Sequence, residues 1–94
     1  MFHLEQLKFK PVPVNAKLEL GSNSTLRCKA DGRVAPRIKW YREGFTQLPD
    51  NVRDNDGTLV FASVQNTDAG LYTCLATNDD GAINATIRVD VISK

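Results

Sequence analysis

No apolar run in this chain approaches the roughly 20 residues that a helix needs to cross a bilayer. The opening Met1-Phe2-His3-Leu4-Glu5-Gln6 lacks the basic flank and apolar core of a signal peptide, so Met1 reads as an expression start on an excised fragment. Charge of one sign is also missing. Twelve Lys and Arg against eleven Asp and Glu leave a formal charge of +1, with no basic stripe to release counterions from nucleic acid. A single histidine, His3, sits near a frayed start, and Ser22, Ser24 and Ser63 have no basic partner, so nucleophilic or acid–base catalysis has no machinery. Cysteine is scarce. Cys28 and Cys74 stand far apart with no Cys-x-x-Cys, which excludes a four-ligand zinc site. A sustained helical period is absent too, and with it any βαβ fold.

Ninety-four residues, 41% hydrophobic and 24% charged, describe one soluble globular domain over 1–94. Residues 1–3 are expected to be a disordered start and 4–92 the folded body. Cys28 and Cys74 pairing with each other is the economical reading. A bridge closing so long a loop would stabilise by roughly 4 kcal/mol, and it persists only in an oxidising compartment. Two buried, reduced cysteines in a cytosolic protein are the alternative.

Strand-like alternation runs through the chain. Leu4 to Phe9 can form a first strand, and Pro11 and Pro13, which cannot donate ladder bonds, place a kink after it at a sheet edge. Pairing resumes over Val14 to Leu20. From Ser24 to Ala30, Leu26, Cys28 and Ala30 face inward; Arg37 to Arg42 repeats the pattern with Ile38 and Trp40 inward. A short strand is expected near Phe45 to Leu48 and another at Val52-Arg53. Asp54-Asn55-Asp56-Gly57 is turn chemistry before Thr58 to Phe61, where Leu59 and Phe61 face inward. One helical turn fits Gln65 to Ala69. Asn78-Asp79-Asp80-Gly81 signals a hairpin into a last strand with Ala85, Ile87, Val89 and Val91 inward.

The chain is organised around Asp68-Ala69-Gly70-Leu71-Tyr72-Thr73-Cys74. Tyr72 and Cys74 share a parity, and a Tyr two residues before a half-cystine is the tyrosine-corner pattern. Trp40, about a dozen residues after Cys28, sits where a sandwich packs an indole on its inter-sheet bridge; a ligand-stacking role is the alternative. With Leu18, Gly21, Leu26 and Val64, these residues resemble an immunoglobulin-superfamily domain of the I-set, and the resemblance implies an all-β antiparallel sandwich. Leu7-Lys8-Phe9, Ile38-Lys39-Trp40, Leu48-Pro49, the run Asp54 to Ala62 and Asp68 to Cys74 further resemble a membrane-side immunoglobulin domain of the off-track-type receptor pseudokinases. That likeness implies an extracellular interaction or spacer module acting in adhesion, Wnt and planar-polarity signalling or axon guidance, on a parent anchored by a span outside this chain. It also implies a structural ion pair between Arg53 and Asp68. A structural module of an intracellular muscle filament is the alternative function.

Acidic clusters invite a calcium reading, but an EF-type loop ending at Gly57 or Gly81 would need acids where the chain has Val52, Ser63, Ala76 and Ile87. No metal, cofactor or nucleic acid is expected; the partners are proteins or neighbouring immunoglobulin domains. Two sequons, Asn23-Ser24-Thr25 and Asn84-Ala85-Thr86, place outward asparagines for glycans. Tyr41 and Leu75, ringed by Arg37 and Lys39, form a candidate protein-binding patch. The loops at Gly32 to Ala35 and Asn78 to Gly81 compete with it as contact sites.

Overall fold

Apolar and polar side chains alternate into nine strands across residues 6–93, the span described by the computed structural model. The expected start at 1–3, His3 and the place of Leu4 lie outside the described residues. The strands are β1 (Lys8–Phe9), β2 (Ala16–Glu19), β3 (Ser24–Arg27), β4 (Ala30–Asp31), β5 (Arg37–Arg42), β6 (Val52–Asn55), β7 (Thr58–Phe61), β8 (Gly70–Asn78) and β9 (Gly81–Ile92). One layer runs β2-β9-β8-β5 and the other β3-β7-β6, with β1 paired to β4. A single 3₁₀ turn over Asn66–Asp68 occupies the expected helical position.

Proline decides how the chain enters the two layers. β1 lies beside β4, whereas β2 lies beside β9 in the opposite layer, so the chain changes sheets across Pro11 and Pro13, where ladder donors are missing. The crossing makes β2 run parallel to β9, the one departure from antiparallel pairing among the described residues. The expected strand from Ser24 to Ala30 is split because its partner changes. Cys28 N donates to Gly57 O, and Lys29 O accepts from Lys10 N.

The strand expected at Phe45 to Leu48 does not form. Phe45 and Leu48 have opposite parity, so one strand would send them to opposite faces. The chain instead turns Leu48 against the core and leaves Phe45 61% exposed. The Phe45 ring lies 4.2 Å from the Arg42 guanidinium carbon, a cation–π contact that covers one of its faces.

Between the layers, Leu18, Val52, Leu59, Phe61, Val64, Ile87 and Val89 pack around Trp40, Tyr72 and the two cysteines. The β6–β7 hairpin closes through Asp56 and Gly57 at φ 51° and 93°. Two positive φ values are what a tight type I′ turn requires, and glycine supplies the second without strain.

Candidate functional site

Cys28 and Cys74 come from opposite layers and are joined, with Cα atoms 6.5 Å apart. Trp40 stands directly opposite Cys74 in the β5–β8 ladder and is 2% exposed. Its ring N–H donates to Gly57 O at 2.9 Å, which satisfies the one polar atom that the buried indole carries. The Trp40 backbone N–H donates to Asp54 Oδ2 at 2.9 Å, while Asp54 Oδ1 accepts from Gly57 N at 3.1 Å. Asp54 thus ties the β6–β7 turn to the edge of the other layer. From its sequence context Asp54 reads only as a turn residue. The signal was available, because Asp54 shares parity with buried Val52, and an inward carboxylate needs donors.

The tyrosine corner forms as expected: Tyr72 OH donates to Asp68 O at 2.7 Å. Arg42 braces it from outside, donating to Thr67 O and Ala69 O with its guanidinium 5.6 Å from the Tyr72 ring. A Cβ at Gly70, where φ is 155°, would lie 3.3 Å from Arg42 Nη2, so glycine leaves the guanidinium its space. Burial pushes the Tyr72 hydroxyl up to about 12, with Asp68 adding and Arg42 opposing. The folded state therefore favours the neutral phenol. Its stabilisation is intact below the unfolded value near pH 10 and is lost as pH rises toward 12. Tyr72→Phe should cost about 1–2 kcal/mol at neutral pH by stranding the Asp68 carbonyl, and should flatten the alkaline fall; urea titrations from pH 7 to 11.5 measure both.

The implied Arg53–Asp68 pair is not made. Val52 points inward, so its neighbour Arg53 points outward and is exposed. Asp68, fully buried, accepts instead from Asn51 Nδ2 and from Gln65 N, both at 2.8 Å. An uncharged amide and a backbone donor take the place of the expected cation.

At one end, Arg33 makes two hydrogen bonds to the Asp80 carboxylate, at 2.7 and 3.1 Å, and Asn78 Nδ2 donates to Val34 O at 2.8 Å. The two loops named as contact candidates therefore meet as one tied surface. Beside them a cleft of about 480 Å³ is lined by Leu7, Arg33, Asp80 and Ile83. On the β5–β8–β9 face, Lys39, Leu75 and Asn84 form one rung and Tyr41, Thr73 and Thr86 the next. Lys39 Nζ sits 5.2 Å over the Tyr41 ring, and Arg37 is opposite Thr77. Asn23 is exposed, with its Oδ1 accepting from Ser63 N at 2.9 Å. Among the described residues no group of His, Cys, Asp and Glu is placed to hold a metal.

A two-layer sandwich with a buried inter-layer disulfide, an indole against it and a tyrosine corner defines an immunoglobulin domain. The family described as Immunoglobulin domain matches residues 6–78, and the chain belongs to it. Within that family it is similar to Tyrosine-protein kinase-like otk of Drosophila melanogaster, 47% identical over 92 residues, which is 95% of this chain and 9% of that protein. The solved structure of Drosophila OTK extracellular domains 3-5 superposes with a TM-score of 0.90 at 46% identity, over 96% of this chain and 31% of that one. A chimeric titin Z1Z2 shares the fold alone, with a TM-score of 0.79 at 24% identity over 99% of this chain and all of that one.

Proposed function

We propose that this chain is an extracellular interaction or spacer module of a multi-domain cell-surface receptor acting in adhesion, Wnt and planar-polarity signalling or axon guidance. The observation that carries the reading is the Cys28–Cys74 bridge, buried between the layers where it belongs to the fold and requires an oxidising compartment. Likeness to a receptor's extracellular domains supports it. The intracellular filament reading has only a shared fold behind it. Thiol titration of denatured, unreduced protein from its native tissue separates the two, and two free thiols would sink the extracellular assignment.

The tied loop end is the contact surface that the geometry favours. Its backbone is held by Arg33, Asp80, Asn78 and Val34, so binding costs little ordering entropy, and the cleft beside it adds concave apolar area from Leu7 and Ile83. A photo-crosslinking residue at Val34 in the multi-domain parent should capture a partner or neighbouring domain, while one at exposed Asp50, toward the opposite end, should not. Equal capture at both positions would remove the loop end from consideration. Arg33→Ala should reduce capture while leaving thermal stability nearly unchanged, because the pair is solvent-exposed.

A further inference from the structure

Asn84 heads the sequon Asn84-Ala85-Thr86 and stands exposed on β9. The ladder puts it directly opposite Leu75, and Leu75 directly opposite Lys39. Residues opposed in a ladder share a face. The sequon and the Tyr41–Leu75 patch are therefore one surface, although they lie on three strands. Leu75 is half-buried, and Tyr41 keeps 42% of its surface in water. β2 meets β9 only from Val89 to Ile92, so beside Asn84 on this face the protein surface is Leu75 and the residues beyond it.

We propose that Asn84 carries an N-linked glycan whose first sugars lie across Leu75 to the edge of Tyr41, making this face a carbohydrate platform instead of a protein-docking face. The inference rests on the extracellular reading, because the modification is made in the secretory pathway. In the transfer, Asn84 Nδ2 bonds to the anomeric carbon of an oligosaccharide held on a lipid pyrophosphate. The anomeric C–O bond breaks, the pyrophosphate leaves with its electron pair, and the amide loses one proton. A pyranose offers an apolar C–H face and a polar rim. Leu75 and Tyr41 match the first, and Lys39 and Thr77 match the second. Two strand spacings, roughly 10 Å, separate Asn84 from β5, a distance that the two-sugar core of such a glycan spans. Asn23 is the internal contrast. Its Oδ1 is engaged with Ser63 N, and it lies outside the strand ladders, so no rung sets an apolar side chain opposite it.

The test uses the chain secreted from glycosylating insect cells, with site occupancy read by mass spectrometry and thermal midpoints compared between variants. Asn84 should be occupied, and Asn84→Gln should lower the midpoint by about 2–4 °C, whereas Thr25→Ala, which removes the Asn23 sequon and leaves the Asn23 bond to Ser63 N in place, should not. In unglycosylated, refolded protein Asn84→Gln should be silent, and on a Leu75→Ser background the glycan's contribution should vanish. Secreted, disulfide-bonded protein with Asn84 bare overturns this inference and leaves the extracellular reading standing. An occupied Asn84 whose stabilisation is unchanged by Leu75→Ser also overturns it. Free thiols in protein from the native source would sink the extracellular reading itself.

Discussion

Replacing Cys28 and Cys74 together by alanine is expected to destabilise the domain by about 4 kcal/mol. The bridge links positions 46 apart in sequence, and without it the unfolded chain regains the freedom that a closed loop of that size removes. Both cysteines sit in the core at 3% and 0% exposure, so the packing lost with two sulfur atoms adds to the effect. A small domain has only about 5–15 kcal/mol to lose, so the variant should unfold at a small fraction of the denaturant that the native protein withstands. Urea unfolding of the double variant, beside native protein with and without reductant, measures it. A loss below about 1 kcal/mol would mean that the bridge is incidental to stability, and the inference from bridge to compartment would lose its footing.

That bridge was legible because so little else competed for the two thiols, and the core was legible because strand parity is strict. Leu59, Phe61, Ile87 and Val89 all face where alternation places them. Parity also explains the misses. Phe45 to Leu48 read as a strand from composition, yet its two apolar residues cannot share a face, and Arg42 offered Phe45 a cation–π contact outside any ladder. Arg53 was paired with Asp68 by resemblance alone, while its own position beside inward-facing Val52 already turned it to solvent. Asp54 was missed from the other direction, since turn chemistry explained it well enough to hide its inward parity. The shared face of Asn84 and Leu75 could not be read at all without the register. It depends on β8 and β9 pairing about the Asn78–Gly81 turn with no slip, and a one-residue shift would have separated the sequon from the patch.

Trp40→Ala is expected to cost about 3–5 kcal/mol, and Trp40→Phe only about 1–2 kcal/mol. The difference between the two isolates what the indole does. Alanine opens a cavity against the disulfide, since Trp40 packs directly opposite Cys74, and the surrounding strands are too well paired to collapse into it. Phenylalanine keeps most of the volume but has no N–H for the Gly57 carbonyl, which loses its 2.9 Å bond from the ring and keeps only the 3.0 Å bond from Cys28 N. The Trp40 backbone N–H still reaches Asp54 in both variants, so the β6–β7 turn keeps one of its two ties to the opposite layer. Equilibrium unfolding of the pair gives the two costs. Equal losses would mean that packing at the disulfide is slight and the hydrogen bond carries the residue. A near-silent Trp40→Phe would mean that the Cys28 N–H alone satisfies the Gly57 carbonyl, and that the indole acts by its volume.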